Sequence, residues 1–214
     1  MTGIISDNVG RPSGLIKAAS GGGGGVWTKI KEITASSDSD ISFVDGSDDV
    51  TLDSTYPIYV FKFINMHTSR HETFFEMNMS IDGGSNYNVT KTTTYWRIDQ
   101  REDGGATHFT YDTAQDLAQE TDYQRICGEL GANDDDASMS GSMWLFNPSD
   151  TTYVKHFICN TNLNASDPYS YNIRSAGYAN TTSAVDAVIF RMDQRNATNI
   201  DSGKIKLYGL KDSA

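Results

Sequence analysis

The sequence predicts an all-β fold: an antiparallel β-sandwich, jelly-roll-like, with an extended N-terminal arm. Three observations carry this reading. Short runs rich in Val, Ile, Phe and Tyr recur along the chain, and Gly, Asp, Asn and Ser turn signals separate them. No long window shows the 3.6-residue apolar stripe of an amphipathic helix. Five consecutive glycines, Gly21–Gly25, divide a short leading segment from the rest.

The 214 residues therefore divide into an arm with its glycine joint, residues 1–25, and one sandwich body, residues 26–214. A body of this length buries a core without disulfide or metal staples. The arm has a dense set of turn formers between Asp7 and Gly14 and a short apolar patch from Leu15. Alone that patch is too short for a stable helix. Glycine has the most conformational freedom to lose on ordering, so the joint suits a segment that must reach in a variable direction.

The elements follow in order. Val26–Ile33 reads as a first strand with imperfect alternation. Residues 36–53 read as a hairpin around Asp45-Gly46, with islands at Ile41–Val44 and Val50–Leu52. Ile58–Met66 is a nearly continuous apolar run and reads as a core strand. In Phe74–Asp82, period two points Phe75, Met77, Met79 and Ile81 into a core. It points Phe74, Glu76, Asn78, Ser80 and Asp82 to solvent. After the turn at Asp82–Ser85, Tyr87–Thr94 reads as that strand's partner, with Tyr95–Gln100 as its extension. Thr107–Tyr111 is a short strand. Residues 113–130 suggest a helical turn over Ala114–Glu120, then a strand near Tyr123–Ile126. Met139–Asn147 and Thr152–Asn160 flank the turn Asn147–Asp150 as an antiparallel pair. Tyr171–Tyr178, Ala184–Met192 and Gly203–Leu210 complete ten to twelve strands, the last one anchored in a sheet. No repeat period of a solenoid or propeller is present.

Composition narrows the function classes. The formal net charge is −11, which repels phosphate backbones and argues against a nucleic-acid partner. No run approaches the length needed to span a bilayer, so no membrane insertion is expected. The start lacks the basic and apolar regions of a secretory signal, and assembly in a cytoplasm is expected. Cys127 and Cys159 are then reduced, buried small hydrophobes rather than a disulfide. The five Asn-x-Ser/Thr sequons, such as those at Asn88 and Asn180, are read as by-products of an Asn- and Thr-rich β protein.

No catalytic constellation stands out. The glycine run lacks the Lys-Ser/Thr of a phosphate loop. His67 and His71 are four apart, but they fall between strong strands at a hairpin tip rather than on a helix. His108 and His156 are isolated on strands. Asp38/Asp40, Asp45/Asp48/Asp49 and Asp134–Asp136 match no calcium-loop pattern and read as solvated acidic loops. No enzyme, cofactor or metal site is expected. Tyr95, Trp96, Tyr169, Tyr171 and Tyr178 sit in or beside loops rich in Asn, Ser and Thr. They are candidate aromatics for a glycan or a subunit interface, with an ordinary core role as the third reading.

The opening Ile5-Ser-Asp-Asn-Val-Gly-Arg-Pro-Ser-Gly-Leu-Ile-Lys-Ala resembles the N-terminal arm of assorted virion proteins of tailed bacteriophages, particularly marine ones. Phe146-Asn-Pro-Ser, Thr152-Tyr-Val-Lys-His-Phe and Ser202-Gly-Lys-Ile-Lys-Leu-Tyr-Gly are similar to a β-sandwich body that recurs among them. The resemblance implies a virion structural protein of the head-decoration, head-fibre or tail-fibre kind, located in the virion and assembled in the bacterial host cytoplasm. It implies other virion subunits as partners and a symmetric homo-oligomer, a trimer first. The arm anchors are then Ile4, Ile5, Leu15 and Ile16. A lectin-like module that binds a host surface glycan through the Tyr and Trp loops is the alternative.

Overall fold

The computed structural model describes residues 27–132, 137–165, 167–193 and 198–211. The arm anchors Ile4, Ile5, Leu15 and Ile16, the glycine joint and the Asp134–Asp136 run lie outside them. Thirteen strands are present among the described residues. They are β1 (Trp27–Asp38), β2 (Asp40–Val44), β3 (Ile58–Thr68), β4 (Phe75–Ser80), β5 (Lys91–Arg101), β6 (Thr107–Tyr111) and β7 (Ala118–Glu120). Then follow β8 (Gln124–Arg125), β9 (Met139–Phe146), β10 (Lys155–Asn164), β11 (Tyr169–Ala179), β12 (Ala187–Met192) and β13 (Ile200–Leu210). All named pairings are antiparallel.

The strands form two sheets packed face to face. The small sheet has the order β2-β12-β4-β8, and the large one β1-β13-β3-β9-β10-β11-β5-β6, with β7 also on β5. Eight of these strands form a jelly roll: β1, β13, β3 and β9 in one layer, β2, β12, β4 and β8 in the other. The first strand lies beside the last, and the second beside the second-last. Everything else is insertion. Strands β5 to β7 lie in the chain between β4 and β8, and the hairpin β10-β11 between β9 and β12. Both insertions widen the large sheet alone.

The core sits where the two layers face each other. Phe190 from β12 lies 5.1 Å from both Phe61 and Phe63 and 6.2 Å from Phe43, edge to face, and stacks on Phe75 at 5.9 Å. Aromatic pairs favour these geometries over a direct sandwich. Under the widened part of the large sheet, chain 117–130 takes the place of the second layer. There the Tyr95 hydroxyl donates to the Cys127 carbonyl at 3.0 Å, and Thr161 donates to the Ile126 carbonyl at 2.7 Å. Cys127 and Cys159 are buried and free, as expected.

Several expectations are corrected. The turn at Asp45-Gly46 does not join a hairpin: the Asp45 carboxylate accepts the Leu52 amide at 2.8 Å, and β2 pairs instead with β12. Strand β4 is buried on both faces, because the chain after β6 passes over its outer side; Asn78 donates to the Thr121 carbonyl there at 3.0 Å. Glu76, Asn78 and Ser80 are therefore buried, as is Phe74, whereas Ile81 is exposed. The partners of β4 are β12 and β8, and Tyr87–Thr94 instead leads into β5 of the other sheet. Residues 114–120 form a turn and β7, not a helical turn. The His67–His71 segment carries β3 to the other sheet rather than closing a hairpin. His67 pairs with Ser202 in β13, and His71 accepts the Ala132 amide at 3.2 Å.

Candidate functional site

The inserted strands expose an apolar surface. On β5, Tyr95 faces the core, so alternation turns Arg97 and Asp99 inward and Trp96 and Ile98 outward. Register places Trp96 beside Tyr111 and Ile98 beside Phe109 of β6. The four side chains form one patch, with the Trp96 and Phe109 rings edge to face at 5.4 Å. Phe109 is the most exposed of them at 65%. The Tyr111 hydroxyl donates to Asp116 at 2.5 Å, and that carboxylate holds the phenol above its ordinary pKa range.

Polarity is thus inverted at this end of the sheet. Asp99 is buried on the inner side, where it accepts from Arg97 Nε at 3.2 Å and meets His108 Nδ1 at 2.6 Å. The Arg97 guanidinium lies over the Tyr171 ring at 4.9 Å. Charge is spent inside, and flat apolar surface is left outside.

The same outer face continues across the sheet. Trp96 aligns with Arg174, Asn160 and Ser142, and Ile98 with Asn172 and Asn162. Several of the amides bond to one another or to the backbone: Asn172 Nδ2 donates to Asn160 Oδ1 at 2.8 Å, and Asn162 Nδ2 to the Tyr171 carbonyl at 2.8 Å. Ile158 stands exposed beside them. At the far edge Trp27 packs on Trp144 and Tyr208 at 5.7 and 5.6 Å. Among the described residues, the large hydrophobics that are exposed fall on this face, except Ile81 and Tyr153.

The sequence-predicted aromatics do not converge. Trp96 is on the outer face within the patch. Tyr178 is on the same face but farther along, beside His156 at 6.0 Å. Tyr95 is buried and points to the core. Tyr171 is buried on the inner side, its hydroxyl 3.1 Å from both Asp167 oxygens, and half-buried Tyr169 lies 5.8 Å from it. Ile98, Phe109, Tyr111 and Ile158 were missed. The signal was present in Tyr95-Trp-Arg-Ile-Asp: once Tyr95 faces the core, Trp96 and Ile98 must face away.

A second feature was also missed, a polar cleft of about 560 Å³ between the small sheet and residues 114–123. Glu76 accepts from Arg191 Nε at 2.8 Å, and burial pushes the Glu76 carboxyl up despite that arginine. Arg191 stacks on Tyr123 at 3.4 Å and Arg125 on Phe74 at 3.9 Å. Arg125 also bonds to Gln115 and approaches Asp193 at 4.0 Å. Both guanidiniums are thus engaged within the chain. Among the described residues no group of three or more His, Cys, Asp or Glu is placed to hold a metal ion. No helix there is long and apolar enough to cross a membrane.

Comparison of the chain with protein-family models, with curated proteins and with solved structures finds no match.

Proposed function

We propose that this chain is a bacteriophage virion structural protein, a capsid-decoration, fibre or tail-fibre component without catalytic activity. Its body associates with copies of itself through the open face of the large sheet, a trimer being the first expectation. Its arm docks on a neighbouring virion subunit. The observation that carries this reading is the exposed patch of Trp96, Ile98, Phe109 and Tyr111 on strands the jelly roll does not need. Contiguous exposed apolar surface on a soluble chain marks an interaction site. Jelly rolls recur in capsid and lectin domains, which supports the reading by analogy of fold only.

Light scattering on the purified chain tests it. The expected result is a symmetric assembly that dissociates in a Trp96→Ser, Phe109→Ser variant of unchanged stability. A wild-type chain that stays single across concentration, with no place on intact particles, overturns it.

A glycan-binding module is the second reading, favoured by an exposed indole beside the Arg174 and Asn172 side chains. Rings of this kind present a flat apolar body next to polar groups. Saturable, sugar-competed binding on a glycan array, lost in Trp96→Ala, supports it. Silence across a broad array retires it.

A further inference from the structure

The two edges of the large sheet are built differently. At the β1 edge stand Lys29, Lys31 and Glu32, and a bulge breaks the ladder between Lys29 and Lys31. Charges and bulges of this kind block the addition of a further strand. The β6 edge has neither. Thr107–Tyr111 reads Thr-His-Phe-Thr-Tyr, and all five residues are exposed. The Asp112 amide donates to the Tyr95 carbonyl at 3.0 Å, and the Arg101 amide to the Ala106 carbonyl at 2.9 Å. These bonds turn the backbone of 106, 108, 110 and 112 toward β5. By alternation the N–H and C=O groups of Thr107, Phe109 and Tyr111 point off the sheet. Among the described residues no strand pairs with them. The edge is therefore a template for one more extended segment, and Phe109 and Tyr111 present apolar surface along it.

We infer that the β6 edge receives the arm of a second copy of this chain, through Leu15–Ala19 added as a strand. The inference rests on the assembly reading above and names the surface the arm uses. Leu15-Ile-Lys-Ala-Ala is as long as β6 and holds neither Gly nor Pro. Charge is complementary. Beyond Asp7 the arm carries only Arg11 and Lys17, whereas Glu102, Asp103, Asp112 and Asp116 flank β6 against Arg101, with Arg97 paired to Asp99. Chain length decides between a copy's own arm and its neighbour's. The eight residues from Ala19 to Trp27 span at most about 29 Å. Eight strand spacings, from β1 to a strand beyond β6, measure about 38 Å along the sheet. The segment falls short of its own β6 and must come from another chain. Such head-to-tail contacts close into rings when the rotation allows.

The test uses the full chain, a chain lacking residues 1–20, and the variants Phe109→Pro and Thr107→Ser. Among the described residues the core runs from Ala35 to Leu207, all of which the shortened chain retains. Proline at 109 removes an outward N–H without a bond to β5, a placement that edge strands tolerate. Thr107→Pro is a second variant of the same design, and thermal unfolding verifies each fold. The expected result is association of the full chain and of Thr107→Ser, and its loss in both proline variants and on truncation. The amides of Thr107, Phe109 and Tyr111 exchange slowly in the full chain and fast in the truncated one. Association retained in the folded proline variants, or equally fast exchange in both chains, overturns the inference. If association survives those variants but is lost in Trp96→Ser, the edge docking falls and the open-face reading stands. A single wild-type chain at every concentration, with freely exchanging edge amides, removes both.

Discussion

The Lys91 ammonium donates to the Asn78 side-chain oxygen across 2.6 Å, and neither side chain is reached by solvent. Lys91 lies on β5 and Asn78 on β4, so this bond ties the large sheet to the small one. A second bond, to the Val89 carbonyl at 2.6 Å, completes the acceptors found for the ammonium. Neither acceptor is a carboxylate.

That arrangement predicts a pH dependence. Burial lowers the Lys91 pKa to about 8, with partial opposition from Asp122. The unfolded lysine titrates near its ordinary value, so between about pH 8 and 10.5 the unfolded chain binds more protons than the folded one. Stability contributed by this group therefore rises with pH through that window, by about 3 kcal/mol at 1.36 kcal/mol per unit. Urea titrations of wild type and Lys91→Met at pH 7 and pH 10 measure it as a difference. Equal pH slopes in the two proteins would show that Lys91 is not the cause.

The thiols of Cys127 and Cys159 are predicted to be inert in the folded protein. Both are buried, and burial pushes both pKa values far up, which suppresses the reactive thiolate. A chromogenic disulfide reagent should leave them untouched in buffer and modify both in denaturant. Fast modification of either one in the native state counts against the packing under β10.

Phe190 meets four core rings, Phe43 and Phe75 within its own sheet and Phe61 and Phe63 across the interface. Phe190→Ala should cost about 3–5 kcal/mol in chemical denaturation. Phe109→Ala, on the open face, should cost under about 1 kcal/mol in the isolated body. Similar losses at the two sites would contradict the assigned core.

Gly209 on β13 lies flat under the Tyr56 ring, and a Cβ there would stand 2.3 Å from the ring carbon Cγ. Gly209→Ala must displace Tyr56, which packs on Tyr59 at 5.7 Å. The expected cost is about 1–3 kcal/mol. The pairing of Tyr56→Ala with Gly209→Ala should be less than additive, because the first change removes the clash.

Much of the fold was legible. Ile58–Met66 and Met139–Asn147 revealed themselves because one face of each meets the core, and alternation or apolar continuity records that directly. The stretch Phe74–Asp82 misled for a physical reason. Its polar side faces covering chain rather than water: Asn78 is satisfied by the Tyr87 carbonyl nine residues on and by the Thr121 carbonyl forty-three residues on. Local pattern cannot distinguish an amide that meets water from one that meets backbone. The hairpin at Asp45-Gly46 failed similarly, because the partner of β2 comes from Ala187–Met192. The open face was half legible: Trp96 was singled out, but Phe109 and Tyr111 became informative only once β6 proved to be an edge.

Trp27 pairs with Leu210. The body begins and finishes at the same corner. A short linker could join these two positions and new ends be cut elsewhere, at the Asp82–Ser85 turn for instance, without severing a ladder. A cargo fused behind Leu210 would emerge beside Trp27, so display on the opposite side calls for insertion into a turn instead.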